Sequence, residues 1–302
     1  MEIFDINDLG KLYLPKEGSH KGQNGKLMII GGSHLFHGAP LWALKTASRI
    51  VDMVFFASIP ENNELTQKLK SEIYDFISIP RNKIDNYIKE ADVILLGTGL
   101  PREEGREDGD ESTRELTKNL LEKYSDKKWV IDAGSLTEMD PEWLKQLNGN
   151  VIITPHGQEF RRLFGDVILT PPKAGEESHE RTRSFAVAQD DIMNMAREYN
   201  CTILLKGQTD VVCQPFDSAQ GETRCVRVSG GNEGMTKGGT GDVLAGLTAA
   251  LYCKNEAFLA ASAASFINKK AGDELYKKVG PYFNASDLCD EIPKVMKELI
   301  IK

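Results

Sequence analysis

Apolar residues fall along this chain in short unbroken runs, separated by stretches in which they return every three or four positions. The runs are KLMII at Lys26–Ile30, MVFFAS at Met53–Ser58, DVILL at 92–96, WVID at 129–132, VIIT at 151–154 and CTILLK at 201–206. An unbroken apolar run of about four to eight residues fits a strand buried on both faces, as in a parallel sheet covered by helices. Helical spacing marks 39–51, 242–252 and 257–276. A shorter helix fits Pro141–Leu147, and a last one spans about 285–301 with Ser286 as its N-cap. Two short runs, 211–213 and Cys225–Val228, fit an antiparallel pair. The alternation predicts an α/β fold with a doubly wound, mainly parallel sheet and helices on both faces. No linker or repeat divides the 302 residues, so a single domain over 1–302 is expected.

In such sheets ligands gather at the carboxyl ends of the strands. Those ends carry Gly31, Gly97, Asp132, Thr154 and Lys206, which puts a site at one edge before any motif is invoked. Three stretches break the pattern: 102–115, polar and mostly acidic; 171–184, rich in Pro, Gly, Glu and Arg; and 216–223, small and polar. All three read as surface loops.

Composition removes several function classes. Hydrophobic residues make up 40% and charged residues 27%, and the net charge is −8, which argues against a nucleic-acid partner. No apolar run is long enough to span a bilayer, and the acidic start MEIFDIND lacks the order of a signal peptide, so a cytoplasmic protein with no membrane partner is expected. Cys201, Cys213, Cys225, Cys253 and Cys289 form no close pair and read as reduced and mostly buried. A zinc site has no CxxC or HxxxH spacing behind it.

The segment NEGMTKGGTGDVLAG, ending at Gly246, carries the strongest chemical signal. Gly238, Gly239 and Gly241 let a phosphate approach the main chain, and a helix starting near Thr240 offers free amides and a positive dipole end. Gly238, Gly239, Thr240 and Gly241 are thus the expected anion hole. Asp242 in the first turn could cap the helix, but a carboxylate beside an anion site makes better sense as a base for the group that receives a phosphoryl. The box Thr154-Pro-His-Gly-Gln-Glu159 follows a buried strand; His156 could donate to a substrate, and Glu159 could hold a metal-bound water or cap the next helix. At the next strand end, Lys206-Gly-Gln-Thr-Asp210 offers either a lysine for a phosphate or a tight turn. Gly31-Gly32-Ser33 with His37-Gly38-Ala39-Pro40, and Gly97-Thr98-Gly99-Leu100, bring further glycines to the same edge. Neither GxxxxGK[ST] nor a GxGxxG after the first strand is present. Trp42, Trp129 and Trp143 read as packing residues.

In this order, GKLMIIGGS…FHGAP, LLGTGL, VIDAGSL, NVIITPHGQEF, LLKGQTDVV and NEGMTKGGTGDVLAG resemble the ADP/ATP-dependent NAD(P)H-hydrate dehydratases of the ribokinase-like superfamily, from about residue 26 to 301. The chain departs from that pattern at Gln158, usually glycine; at Pro40, often alanine; at Thr98 within the usual Gly-Pro-Gly; and in a longer 216–223 stretch. The resemblance implies dehydration of NADH or NADPH hydrate through a phosphorylated intermediate. It implies ADP or ATP as phosphoryl donor and Mg2+ held largely by phosphates and water. Asp242 would act as the catalytic base and contact the substrate, together with Ala39, Gly99 and His156. Lys206, Gly207, Gln208, Thr209, Asp210 and Gly241 would contact the nucleotide. The resemblance also implies a homo-oligomer, a tetramer in many members, and an epimerase, where one exists, on a separate protein. Two other readings stand beside it: a kinase of the same fold acting on a vitamin precursor of the hydroxymethylpyrimidine or hydroxyethylthiazole type, and a nucleotide-binding regulator without turnover. The TPH…E box and the Gly38-Ala39 helix start favour the dehydratase.

Overall fold

The six apolar runs become six neighbouring parallel strands. The computed structural model describes residues 1–69, 75–165, 189–215 and 223–301. Its strands are β1 (Glu2–Ile3), β2 (Lys26–Ile30), β3 (Met53–Ser58), β4 (Ile77–Pro80), β5 (Val93–Leu96), β6 (Lys128–Ile131), β7 (Val151–Ile153), β8 (Thr202–Leu205), β9 (Asp210–Cys213) and β10 (Cys225–Val228). Its helices are α1 (Gly38–Ala47), α2 (Pro60–Leu69), α3 (Ile84–Ile88), α4 (Thr113–Lys123), α5 (Ala133–Glu138), α6 (Gly157–Phe164), α7 (Gln189–Glu198), α8 (Thr240–Tyr252), α9 (Ala257–Val279) and α10 (Ala285–Ile300). The sheet order is β1-β10-β9-β8-β7-β6-β5-β2-β3-β4, with β9 alone antiparallel to its neighbours.

Successive residues of each strand supply opposite cores, because side chains alternate across a sheet. Leu27, Ile29, Val54, Phe56, Val93 and Leu95 pack against α1, α8, α9 and α10. Met28, Ile30, Phe55, Ala57, Ile94 and Leu96 pack beneath α3, α4, α6 and α7. Both faces are covered, which is why the strands read as continuous apolar runs. The chain leaves β2 outward through β3 and β4, then returns to β5 on the other side of β2. A crevice opens where direction reverses, at the carboxyl ends of β2 and β5.

Backbone sits against backbone at those strand exits. A Cβ on Gly31 would lie 2.2 Å from the carbonyl oxygen of Thr98, and one on Gly97 only 1.9 Å from that of Asp132. Among the described residues, no helix is long and apolar enough to cross a membrane.

Several expectations are corrected. The cap of α10 is Asn284, not Ser286: its side chain accepts from the amides of Ser286 and Asp287, and Asp287 returns the bond to the Asn284 amide. Counted from Asn284, Asp287 occupies the third helical position, which completes the capping box. Pro141–Leu147 is a 3-10 helix, closed by Asn148 in the left-handed region. Residues 48–51 leave helix α1 and continue as turns. Cys213 and Cys225 are not reduced thiols but a disulfide. They lie directly opposite in the β9–β10 ladder, 4.2 Å apart at Cα, although 12 positions separate them in sequence. Cys201, Cys253 and Cys289 are free and buried. The stretch 102–115 is only partly a solvated loop. Asp110 turns inward to pair with His34 at 2.6 Å, and buried Thr113 opens α4. Residues 171–184 and 216–222 lie outside the described residues.

Gly97 also has φ +119, a conformation that residues with a Cβ rarely adopt. Gly97→Ala should therefore cost about 3 kcal/mol or more of unfolding free energy. A denaturant titration indistinguishable from that of the parent would show that the two strand exits are not in contact.

Candidate active site

Helix α8 begins where the sequence places glycines for close approach. Gly239 is its N-cap, with φ +95, and a Cβ there would lie 2.5 Å from the ring of Trp42. The glycine loop therefore rests on an indole, which is itself fixed by donating from Nε1 to the Ser286 hydroxyl at 3.1 Å. Lower down, α8 presses against α1 so closely that a Cβ on Gly246 would meet the carbonyl oxygen of Ala43 at 2.6 Å. Thr240 is buried; its hydroxyl donates to the carbonyls of Met235 at 2.7 Å and Lys237 at 3.0 Å. Its amide also points to Lys237 O, so Thr240 locks the turn with both of its donors. The other glycines face space. A Cβ on Gly238 would meet nothing within 4 Å, and one on Gly241 only the Lys206 Nζ at 3.7 Å. Amides at the start of a helix have no intrahelical acceptor, so this open side suits an anion.

Beneath it lies a group of charges from the ends of β6 and β8 and the first turns of α6 and α8. Lys206 Nζ donates to Asp132 Oδ1 at 2.8 Å and lies 3.8 Å from Glu159 Oε2. The same Asp132 oxygen accepts from the Thr154 hydroxyl at 2.8 Å. Burial works against the Lys206 charge, but Asp132 and Glu159 outweigh it and push its pKa up. Glu159 is used as the capping reading requires: Oε2 accepts from the His156 amide at 2.9 Å. His156 Nδ1 in turn accepts from the amides of Gln158 and Glu159, which puts the proton of a neutral ring on Nε2. Nε2 stands 3.5 Å from Glu159 Oε1 on a side chain that is 40% exposed. Asp242, half-buried in the first turn of α8, completes the group. Burial pushes its carboxyl up to about 7, the charge of Asp132 adds to the rise, and Lys206 opposes it. A carboxyl so poised can exchange a proton near neutrality.

The Lys206–Asp210 segment is a loop held from behind. Gly207, Gln208 and Thr209 are exposed at its tip. Asp210 is buried, accepts from the Gly207 amide at 2.8 Å and the Ser265 hydroxyl at 2.7 Å, and pairs with Lys269 at 3.2 Å. Lys269 Nζ also donates to the carbonyls of Gly207, Gln208 and Gly230. Asp210 thus shapes the loop, and its carboxylate is spent on that task.

On the far side of the crevice, Ala39 and Gly99 meet. A Cβ on Gly99, whose φ is +71, would lie 3.3 Å from that of Ala39 and 2.9 Å from Phe36 O. Arg81 secures the neighbouring turn by donating to the carbonyls of Gly31 and Gly32, and Ser58 also donates to Gly31 O. Both sides are tied to the same elements, since Gly97 abuts Asp132 and Gly239 abuts Trp42 of α1.

The structure therefore brings His156, Glu159, Lys206, Gly241 and Asp242 to one place, and Ala39 with Gly99 to the adjoining wall. It adds Asp132, Lys269, Trp42 and Arg81, to which the sequence reading gave no role in the site. Asp132 alone carried a signal, as an acid at a strand end. Among the described residues no three His, Cys, Asp or Glu side chains converge to hold a metal. The Asp132 and Glu159 carboxylates are already engaged by Lys206 and the α6 cap. A divalent cation fits this donor set only as an ion carried on ligand phosphates and water, a usual arrangement for Mg2+.

A family model described as NAD(P)H-hydrate dehydratase matches residues 27–294. A bifunctional NAD(P)H-hydrate repair enzyme from Methanocaldococcus jannaschii is 36% identical over 300 residues, covering 98% of this chain and 52% of that protein. The chain thus spans about half the length of that relative. An ADP-dependent (S)-NAD(P)H-hydrate dehydratase from Nitrosopumilus maritimus is 34% identical over 304 residues, covering 96% of this chain and 95% of that one. In fold, the chain is similar to the ADP/ATP-dependent NAD(P)H-hydrate dehydratase of Bacillus subtilis co-crystallised with ATP and Mg2+. That match has a TM-score of 0.74 at 21% identity and covers 99% of this chain and 98% of that one.

Lys269 is a long-range support that can be tested. Lys269→Met leaves Asp210 as an unpaired buried carboxylate, which should cost about 3 kcal/mol in denaturant unfolding. Unchanged stability would remove the ion pair from the account of this loop.

Proposed function

The chain belongs to the NAD(P)H-hydrate dehydratase family, and on that premise we propose that it restores NADH or NADPH from the hydrate, with ADP or ATP as phosphoryl donor. The observation that carries this reading is Asp242: a carboxyl titrating near neutrality, in the first turn of a helix whose glycine start stands open to an anion. Hydroxide is a poor leaving group, and the reduced ring of the hydrate carries a hydroxyl on carbon 6. Asp242 takes the proton of that hydroxyl while its oxygen attacks the terminal phosphorus of the nucleotide, and the nucleotide departs one phosphate shorter. The phosphorylated carbon–oxygen bond then breaks, driven by the lone pair of the ring nitrogen. Phosphate leaves, and loss of a proton from the adjacent carbon restores the nicotinamide.

The chain's own groups have distinct tasks in this reading. The open amides of Gly238, Gly239 and Gly241 receive the charge that builds on the transferred phosphoryl. Lys206, the exposed 207–209 tip and Gly241 meet the nucleotide, and Asp210 contributes by shaping that tip. Ala39, Gly99 and the Nε2 edge of His156 meet the hydrate. Mg2+, carried by the phosphates, supplies charge neutralisation. The similarity to proteins named as dehydratases supports this reading over a kinase of the same fold.

The direct test mixes purified protein with NADH hydrate, Mg2+ and either ADP or ATP and follows absorbance at 340 nm. A nucleotide-dependent rise is expected, and the better nucleotide names the donor. A stable phosphorylated product with no rise would overturn the dehydratase in favour of the kinase.

Asp242→Asn should fold and lose activity by about three orders of magnitude or more; near-normal turnover would remove Asp242 from the chemistry. Its stability should move the other way. The parent carboxyl titrates at about 7 against an ordinary value of 3.8. Between those values the native state keeps a proton that the unfolded chain has released, so its contribution to stability falls as pH rises through that window. At pH 8 the Asn variant should therefore be the more stable protein, by about 1–4 kcal/mol. A less stable variant at pH 8 would show that the carboxylate is not strained by its site.

A further inference from the structure

Asp132 holds no role in the reaction as derived so far, yet it makes the shortest ion pair of the charge group. It is 2% exposed and follows β6 directly. Its Oδ1 accepts from both Lys206 Nζ and the Thr154 hydroxyl, and its backbone carbonyl abuts Gly97. Its place is therefore fixed from three sides. Lys206 is the cation that faces Asp242: its Nζ lies 3.7 Å from where a Cβ on Gly241 would stand, one residue before the base. An ammonium in that position, left to itself, would pair with Asp242 and hold it as a spent carboxylate.

We propose that Asp132 is a positioning residue for the base: it binds the Lys206 ammonium in its own ion pair and so keeps Asp242 basic enough to take the hydroxyl proton of the substrate. The inference rests on the reading of Asp242 as that base. Three carboxylates face one ammonium here, Asp132, Glu159 and Asp242 around Lys206, with the His156 ring behind Glu159. Glu159 is tied by the α6 cap and stands a full ångström further from Lys206 than Asp132 does. The closest partner of the ammonium is thus Asp132, and its charge bears on Asp242 twice. It repels a second negative charge directly, and it commits the cation that would otherwise relieve one. The direction agrees, since Asp132 raises the proton affinity of Asp242 and Lys206 lowers it. Asparagine at 132 keeps an oxygen for Lys206 and Thr154 but removes the charge, so the ammonium turns toward Asp242.

The experiment is the pH dependence of kcat/KM for the nucleotide-dependent reaction, which reports the base in the free enzyme. It is run on the parent, Asp132→Asn and Asp132→Glu. The parent should lose activity as pH falls through about 7. Asp132→Asn should move that acid limb down by about one pH unit, so that at pH 5.5 it retains several-fold more of its own plateau rate than the parent does. Asp132→Glu, which keeps the charge, should leave the limb near its parent position. Should Asp132→Asn fail to fold, Lys206→Met reads the same coupling in reverse, with the limb moving to higher pH. A limb that stays in place in Asp132→Asn, or in Lys206→Met where the former does not fold, overturns the proposal.

A second readout separates this inference from the one beneath it. The carboxyl 13C resonance of Asp242, identified by its loss in Asp242→Asn, is titrated in the protein without substrate. If that resonance titrates near 7 and moves down in Asp132→Asn while activity ignores both, the coupling stands and the catalytic role of Asp242 falls. If activity depends on Asp242 but its resonance does not move in Asp132→Asn, the proposal falls and the function stands.

Discussion

At two strand exits and at the start of α5 a neighbouring carbonyl occupies the space a side chain would need, and the rest of the site depends on that contact. The oxygen of Thr98 lies against Gly31, that of Asp132 against Gly97, and that of Leu100 against Gly134. These contacts bring the exits of β2, β5 and β6 closer than any residue with a Cβ would permit. The immediate effect is steric, and its consequence is electrostatic. Asp132 leaves β6 at a position held by its contact with Gly97, so its carboxylate can reach across to Lys206 at the end of β8. A looser crevice would admit water and screen the ion pair, and the protonation of Asp242 would drift back toward that of an ordinary aspartate.

The charge group illustrates what such confinement does. An exposed lysine with three acids around it would be a minor surface feature, worth little to stability. Gathered at the strand ends and the first turns of α6 and α8, the same four groups cannot all be satisfied. Lys206 has Asp132 and Glu159, Glu159 has the amide of His156, and Asp242 is left with the first turn of its own helix. The shortage falls on the residue that stands beside the open glycine turn. Local stability is given up at that one carboxyl, while the backbone bonds of the α6 cap and the Thr240 lock hold the neighbouring turns in place.

The sequence made the sheet legible because its middle strands are buried on both faces and therefore unbroken in apolar character. It hid β1, whose two residues are exposed and owe their strand geometry to pairing with β10. It hid the disulfide for a similar reason: only the β9–β10 register sets Cys213 opposite Cys225. The glycine start of α8 was legible, since glycines before a helix carry their own physical meaning. Its supports were not. Asp132 and Lys206 are 74 positions apart, and Lys269 reaches the Gly207 carbonyl across 62. An isolated aspartate or a lysine within a long helix has no local pattern that distinguishes it from a solvated charge. Thr240 and Asp210 show the converse. Their motif positions suggested direct contact with a ligand, whereas their polar atoms are consumed in shaping the backbone that would make it.

That division of labour bears on which substitutions such a site tolerates. On the proposed reading, the groups that meet a ligand are largely main-chain amides and the ends of long side chains, which rest on the backbone path. The path is set by residues behind it: Trp42 under Gly239, Lys269 and Asp210 under the 207–209 tip, Arg81 under Gly31 and Gly32. Replacing Gln208 or Thr209, both exposed, changes one contact. Replacing Lys269 releases three carbonyls and one carboxylate together. Geometry at this site is therefore more sensitive to the buried second layer than to the residues at its surface, because each buried polar group fixes several main-chain groups whose unpaired burial would cost more than the loss of a single exposed hydrogen bond.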